Sequence, residues 1–339
     1  MEQVNKYISE SHNILITSHV RPDGDALGSE AAFYHLLKRI RKNPVIYNSS
    51  PLPWEFQFLN QDDIFNKYDP AKDKDSLKSF NLAIVLDVGS YSRLGELGED
   101  LKESGIPVIC LDHHPIRSHE FNYEVVDTKA AATCSLIYEF IMETNPHLMN
   151  LDIANAIWVG IMTDTGSFRF ENTTPKTMKI SAKLLDFGVT PGALYRHIYE
   201  NKLPEQMLLL GMVLQNIKYE CNGKLAWFFI TQEMAKTAGA KIEEVDGYTD
   251  FVRATHGVEV AIMFLEREVD NIRLNFRSKG NVVINHIARN HNGGGHAFAA
   301  GATIYKTLSE AESTIIPEAK QEIENYINKS GNYTKNNEN

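Results

Sequence analysis

The sequence predicts an α/β protein of two domains: an N-terminal doubly wound, mainly parallel sheet with helices on both faces, and a smaller C-terminal α/β domain with a mixed sheet. Three observations predict it. Ile14-Leu15-Ile16-Thr17, Leu82-Ala83-Ile84-Val85-Leu86 and Val108-Ile109-Cys110-Leu111 are short β-branched and aliphatic runs that read as buried strands, with helical patterns between them. Each run ends in acids or imidazoles, at the strand edge where open α/β sheets place their ligands. At 339 residues the chain exceeds one ordinary core, and a scale of about 150 residues per domain suggests two.

In chain order, residues 1–11 read as a short amphipathic helix and Asn13 to Ser18 as the first strand. Asp25 to Arg41 reads as a helix because Ala26, Phe33, Leu37 and Ile40 recur on one face, and Asn43-Pro44 stops it before the strand Val45-Ile46-Tyr47. The segment from Ser50 to Lys78, rich in Pro, aromatic and Asp residues, reads only as loosely helical. After the strands at 82–86 and 108–111 come a strand at Tyr123 to Asp127 and helices at Ala130 to Glu143, Ile153 to Ile161, and from Thr173-Thr174-Pro175 to Leu185. The first domain is expected over 1–195 and a helical connector, opened by Leu203-Pro204, over 196–218. The second domain, 219–327, should hold strands at 225–230, 258–265, 272–276 and 302–305, with helices at 232–240, 282–289 and 310–326, the last kinked at Pro317. Residues 328–339 are polar, rich in Asn, and expected to be disordered.

Composition narrows the function. Apolar and charged fractions of 43% and 23% are those of a soluble globular protein, and no segment approaches the roughly 18 apolar residues of a membrane span. The start, Met1-Glu2-Gln3-Val4-Asn5-Lys6, lacks a signal peptide's apolar core, so a cytoplasmic location without membrane partners is expected. Cys110, Cys134 and Cys221 are odd in number and widely spaced, which fits reduced core thiols. A net charge of −10 argues against coating duplex DNA but permits a small anionic substrate, since bound cations can reverse the local potential.

The chemistry centres on Ser18-His19-Val20-Arg21-Pro22-Asp23-Gly24-Asp25. In an extended segment side chains two apart point the same way, so Asp23 and Asp25 can enter one pocket with His19, although both could instead cap a turn and the following helix. An EF-hand is excluded: counted from Asp23, Leu27 and Tyr34 fall where oxygen ligands are required. The later strand and helix ends add Asp87, Asp112, His113, His114 and Asp164. Five carboxylates at one sheet edge would repel one another without cations. A mixed imidazole and carboxylate set suits Mn²⁺, Fe²⁺, Co²⁺ or Zn²⁺ better than Mg²⁺, and a pair of such ions about 3.5–4 Å apart is the arrangement that clamps a phosphoryl transfer. No G-x-S-x-G elbow, P-loop or dinucleotide glycine fingerprint competes. Far downstream, Gly293-Gly294-Gly295 could expose backbone N–H groups to an anion, with Arg277 and His296 as further donors, or could be a plain tight turn.

Together Ser18-His19-x-x-Pro22-Asp23-Gly24-Asp25, Leu86-Asp87, Asp112-His113-His114 and Thr163-Asp164-Thr165-Gly166 resemble the motifs of the DHH phosphoesterases. Arg277-Ser278 followed by Gly293-Gly294-Gly295-His296-Ala297 resembles their DHHA1 domain, and the ordered set is similar to the nanoRNase branch, which combines oligoribonuclease and pAp phosphatase activities. The resemblance implies two divalent cations, Mn²⁺ favoured: His19 and Asp23 on one, Asp25, His113 and Asp164 on the other, Asp87 bridging. It implies that His114 contacts the scissile phosphate or helps protonate the leaving oxygen, and that Asp112 orients a histidine. Arg277, Ser278, Gly293, Gly294, Gly295 and His296 would bind the terminal nucleotide or phosphate, facing the metals across an interdomain cleft, with Arg93 and Arg169 as further candidates. Pro115-Ile116-Arg117 is less polar than the family pattern at that point, which weighs against a substrate role for Arg117. The implied partners are short RNA or small nucleotides, with a homodimer as the assembly. The alternatives are hydrolysis of linear or cyclic dinucleotides such as pApA and cyclic di-AMP, a family II pyrophosphatase, which the triple-glycine segment disfavours, and a non-catalytic nucleotide sensor, which the complete ligand set disfavours.

Overall fold

The computed structural model describes residues 1–115, 119–242, 245 and 247–335, and the chain divides into two compact units, Met1–Asn201 and Lys202–Asn339. Arg117 and residues 336–339 of the expected tail lie outside the described residues.

The first unit runs α1 (Glu2–Glu10), β1 (Asn13–Thr17), α2 (Gly24–Arg39), β2 (Asn43–Asn48), β3 (Phe65–Lys67), α3 (Pro70–Asp73), β4 (Leu82–Leu86), α4 (Glu96–Ser104), β5 (Val108–Asp112), β6 (Tyr123–Val126), α5 (Thr133–Thr144), α6 (Leu151–Asp164), α7 (Pro175–Asp186) and α8 (Pro191–Tyr199). Its six strands are all parallel in the order β3-β2-β1-β4-β5-β6. The two-residue period of the strands sorts the side chains onto two cores. Ile14, Ile16, Leu82, Ile84, Leu86, Ile109 and Leu111 pack with α1, α2, α5 and α6 on one face. Leu15, Ala83, Val85 and Val108 pack with Leu94, Leu97 and Leu101 on the other. The strand order reverses between β1 and β4, and the crevice beyond the carboxyl ends of strands at such a reversal is where doubly wound sheets bind ligands.

Helices α2 and α6 carry acids of that crevice and pack closely because small residues meet there. A Cβ on Gly28 would lie 2.4 Å from the Ala156 carbonyl oxygen and 3.1 Å from the Gly160 nitrogen; a Cβ on Gly160 would lie 2.6 Å from Asp25 Oδ1. In open space Gly28→Ala would stabilise α2 by about 1 kcal/mol through helix propensity. Here backbone must move, and the expected net effect is a loss of about 1–3 kcal/mol together with weaker divalent-cation binding, because Asp25 and Asp164 ride on the two helices being pushed apart. Thermal unfolding and a Mn²⁺ titration of the variant check both signs.

The second unit runs α9 (Pro204–Gln215), β7 (Lys218–Glu220), β8 (Leu225–Ile230), α10 (Gln232–Ala238), α11 (Tyr248–Arg253), β9 (Val260–Glu268), β10 (Asn271–Ser278), α12 (Asn285–Asn290), β11 (Gly294–His296), β12 (Ala299–Ile304) and α13 (Leu308–Lys335). The sheet order is β11-β12-β10-β9-β8-β7, mixed as expected, with β8 and β9 parallel and the other pairs antiparallel. One face, with Ile262, Phe264, Leu274 and Phe276, packs against α12 and α13; the other, with Ala226, Phe228 and Met263, packs against α9, α10 and α11. Among the described residues no helix is long and apolar enough to cross a membrane.

Several details differ from the sequence reading. The expected connector 196–218 contains α9, whose Leu209, Leu210 and Val213 are buried in the core of the second unit. Helix α8 precedes it and places Leu194 and Ile198 in the core of the first unit. Strands β3, β7 and β11 have three residues each, too few to display a period, and α4, α8 and α11 likewise have no counterpart in the sequence reading. Helix α13 contains Pro317 and continues to Lys335, into the stretch expected to be disordered.

Candidate metal centre

The turn after β1 is built as both sequence readings required at once. Asp23 is the N-cap of α2: its Oδ1 accepts from the backbone N–H of Asp25 at 3.0 Å and of Ala26 at 3.1 Å. The same carboxylate lies 4.0 Å from His19 Nε2. Capping therefore fixes the side chain beside the imidazole instead of competing with a ligand role. Asp25, fully buried, turns inward and accepts from the N–H of Thr133 at 2.6 Å and of Cys134 at 2.9 Å. The N-cap residue of α5, Ala132, has no side chain to satisfy those donors, so Asp25 caps α5 from a distance.

Asp87 follows β4 in a left-handed conformation, φ 60°, and is 1% exposed. Aspartate tolerates that region better than most residues, and the turn drives the carboxylate into the crevice. Its Oδ2 is 3.5 Å from His19 Nε2 and its Oδ1 is 3.6 Å from His113 Nε2; Oδ1 also accepts from the Thr133 hydroxyl at 2.9 Å. One carboxylate thus stands between two imidazoles. His113 Nε2 lies 3.2 Å from Asp164 Oδ2, at the end of α6, and 3.8 Å from Asp25 Oδ2. His19 Nδ1 sits 3.0 Å from the Val20 carbonyl and His113 Nδ1 3.2 Å from the Ala130 carbonyl. A carbonyl only accepts, so each Nδ1 carries a proton and Nε2 is the nitrogen that faces the carboxylates.

Next to them Asp112, at the end of β5 and fully buried, accepts on Oδ1 from the backbone N–H of His114 at 3.0 Å and from its Nδ1 at 2.8 Å. His114 Nδ1 is also 3.6 Å from Asp87 Oδ1. Beneath the crevice Glu30, on α2, is fully buried, and burial pushes its carboxyl up to about 7 despite the hydrogen bond it accepts from Asn48.

The electrostatics match a site that demands cations. Burial raises the carboxyl of Asp25 above its usual range. Asp87 is pushed well up by burial and by the charges of Asp25 and Asp23, and Asp164 by burial and the same two neighbours. Burial pulls the His113 imidazole down, but Asp25 and Asp87 outweigh it and the net shift is upward. Burial also pushes Asp112 up, yet the hydrogen bonds and charge of His114 prevail and hold it below the usual carboxylate range. Among the described residues three groups have donor atoms close enough to share an ion: His19, Asp23 and Asp87; Asp25, His113 and Asp164; and Asp87, His113 and His114. Imidazole nitrogens with preset tautomers beside mutually repelling carboxylates are a donor set that fits divalent transition-metal ions.

The sequence-predicted residues of the second unit are arranged differently from expectation. Gly293 donates to the Ala288 carbonyl at 2.7 Å, and Gly294 to His296 form β11, paired with Ala299 to Gly301 of β12. Of the three glycines only Gly295 has positive φ, 136°, and the segment is the edge strand of a tight hairpin. Ala299 is the register partner of both Arg277 and His296, so those two side chains lie on one face of the sheet, one strand apart on either side of Ala299. Ser278 donates its N–H to the Phe298 carbonyl at 2.8 Å and accepts from Gly280 at 3.3 Å, serving the turn after β10. Arg169 donates to the Gly166 carbonyl at 2.6 Å, and the Arg93 carbonyl accepts from Val20 at 2.8 Å. Sequence reasoning missed Thr133, which donates to both Asp25 and Asp87; its place at a helix start behind three alanines was the available signal.

With this geometry in hand, comparison with known proteins is consistent along the chain. Residues 13–161 match the DHH family N-terminal domain and residues 228–329 match the DHHA1 domain. The chain is 33% identical over 302 residues to the bifunctional oligoribonuclease and PAP phosphatase NrnA of Bacillus subtilis (strain 168), covering 88% of this chain and 91% of that protein. It is 31% identical over 315 residues to the Thermus thermophilus protein of the same name, covering 91% of this chain and 90% of that one. Among solved structures, an exopolyphosphatase-related protein from Bacteroides fragilis superposes with a TM-score of 0.87 at 25% identity, covering 96% of this chain and 95% of that one. The chain belongs to the DHH family, with a DHHA1 domain following its DHH domain.

Proposed function

We propose that this protein is a phosphoester hydrolase of the oligoribonuclease and pAp phosphatase type, working with two divalent cations, Mn²⁺ by preference. The observation that carries the proposal is the placement of Asp87 between His19 and His113, with Asp23 on one side and Asp25 and Asp164 on the other. His19 and Asp23 would hold one cation, Asp25, His113 and Asp164 the other, and Asp87 both. When bound, such cations supply Lewis acidity toward phosphoryl oxygens and an acidified water.

The protein's own residues do the rest. Val20 and Ala130 carbonyls hold the Nδ1–H of His19 and His113, so Nε2 is the nitrogen each ring would offer a cation. Asp112, kept ionised by its hydrogen bonds from His114, holds that imidazole with Nδ1 protonated. His114 is thereby suited to contact the scissile phosphate or give a proton to the leaving oxygen. In the second domain Arg277, Ser278, Gly293, Gly294, Gly295 and His296 would take the nucleotide's terminal phosphate, a role supported by their family motif and by the shared sheet face of Arg277 and His296. The relatives named above act, by their names, as oligoribonuclease and PAP phosphatase, and the high coverage of both chains supports carrying that substrate class here. The net charge of −10 fits short substrates better than a long duplex. Cys110, Cys134 and Cys221 are all unbridged, which fits the expected cytoplasmic setting.

Incubating the purified chain and Mn²⁺ with pAp, labelled RNAs of graded length, pApA, cyclic di-AMP and pyrophosphate tests this reading. Mononucleotides from the shortest RNAs and AMP from pAp are expected. Hydrolysis of pyrophosphate alone, or of cyclic di-AMP with the RNAs untouched, overturns it.

A further inference from the structure

We propose that Glu30 and Asn48 form a positioning pair for His19, tying the peptide that carries its imidazole to helix α2; the inference rests on the metal-centre reading above. Glu30 is fully buried, and Asn48, the last residue of β2, is 4% exposed. Asn48 Nδ2 donates to Glu30 Oε2 at 2.8 Å, and Asn48 Oδ1 accepts from the backbone N–H of Ser18 at 3.3 Å, with the Thr17 hydroxyl at 3.5 Å. The amide's direction is forced at the Ser18 end, where a backbone N–H must donate, which leaves Nδ2 for the Glu30 oxygen. Ser18 is the residue before His19.

The rest of the turn is fastened in the same manner. Val20 donates its N–H to the Arg93 carbonyl at 2.8 Å, and Arg21, held at φ 55°, donates to Ser50 Oγ at 2.8 Å. His19 Nδ1 leans on the Val20 carbonyl, so the ring's direction depends on where these peptides sit. Helix α2 therefore presents Asp25 directly and, through Glu30 and Asn48, steadies His19 in the facing group. A core function alone does not account for a carboxyl at this place. Its helix neighbours Leu27, Ala31 and Phe33 are all buried hydrophobics, and an apolar residue of similar volume would avoid the desolvation cost of a buried acid.

The test uses the full chain with Glu30→Met, Asn48→Leu and Glu30→Gln, measuring Mn²⁺ binding by calorimetry without substrate, KM for pAp at saturating Mn²⁺, and Tm. Glu30→Met and Asn48→Leu are expected to weaken one Mn²⁺ site, the one that His19→Ala removes, by about 10- to 100-fold, with KM unchanged and with Tm, although shifted by the buried partner each variant orphans, still well above the assay temperature. Glu30→Gln keeps an acceptor for Asn48 and should restore wild-type binding, which also guards against a folding defect in the Met variant. Affinities within about twofold of wild type in the Met and Leu variants, or losses confined to variants whose Tm has fallen to the assay temperature, overturn the proposal. A wild-type chain that binds two Mn²⁺ but hydrolyses none of the nucleotides would sink the functional reading and leave this one standing; a chain that binds no Mn²⁺ sinks both.

Discussion

Replacing Asp87 by Asn should lower phosphoester turnover by more than about 100-fold while leaving the metal-free protein at least as stable as the wild type. Removing a partner that merely orients a metal ligand typically costs about 10- to 100-fold, and Asp87 lies 3.5 Å and 3.6 Å from the Nε2 atoms of two imidazoles, between the two proposed cation sites, so its loss should exceed that range. The stability side has the opposite sign. In the metal-free protein this carboxyl is held well above its usual range by burial and by Asp25 and Asp23, so a neutral amide relieves both desolvation and repulsion. Asn is the cleaner substitution than Ala. Position 87 sits at φ 60°, where Asn is tolerated and Ala costs about 1 kcal/mol or more, and the amide oxygen can still accept from Thr133. Initial rates on pAp and labelled RNA, set beside Tm in a chelator, give both signs in one preparation. Turnover within about tenfold of wild type would show that Asp87 does not bridge the cations.

How much of this was legible in the sequence follows from how local each interaction is. The strands β1, β4 and β5 are continuous apolar runs because both faces of a parallel sheet are covered, and their ends carry His19, Asp87 and Asp112 to His114 within a few residues of the last core position. Those signals are local and therefore legible. Asp23 posed a choice between cap and ligand; the structure shows the cap, which also positions the carboxylate next to His19 and so leaves a ligand role compatible with it. What could not be read is contact between distant residues. Asp25 caps α5 over 108 positions of sequence, Thr133 reaches Asp87 across 46, and Asn48 meets Ser18 across 30. Nothing in the sequence near Glu30 marks it as other than a solvated helix position. The triple glycine left a choice between an anion cradle and a tight turn that composition alone does not decide; in the fold the segment pairs with β12 as a hairpin, and a Cβ at Gly293 would meet the Gly301 oxygen at 2.2 Å. Close backbone approach, more than positive φ, is what requires glycine there. Helix α9 was misplaced because a run of Leu and Met identifies a buried face but not which core buries it.

In chelator the protein should lose stability as pH rises from about 4 to about 8, and Mn²⁺ should recover most of that loss. Asp25, Asp87 and Asp164 all have folded-state pKa values raised above the ordinary carboxylate value near 3.9, so the folded chain holds protons that the unfolded chain has released. Their stabilising contribution is complete below that ordinary value and is lost as pH climbs through the raised ones. His113, also raised, acts with the same sign: its contribution is present below about 6.5 and lost above its own folded-state value. Glu30 adds a further part, lost as pH rises through about 7 and on the order of 3 kcal/mol, because each tenfold gain in proton affinity on folding is worth about 1.4 kcal/mol. Asp112 is lowered, so it stabilises above the ordinary carboxylate value and weakens the fold only in acid, outside this window. Cations bound by the aspartates would displace their shared protons, so the gap between Tm with Mn²⁺ and Tm with chelator should widen steadily with pH, and Mn²⁺ binding should release protons into the buffer. The Glu30 part persists in both curves, since that carboxyl is hydrogen-bonded to Asn48 and is not among the ligating groups, and Glu30→Gln should remove it from both. A Tm gap that does not change with pH would mean that the clustered carboxylates are already ionised without metal, and the electrostatic account of the site would fall.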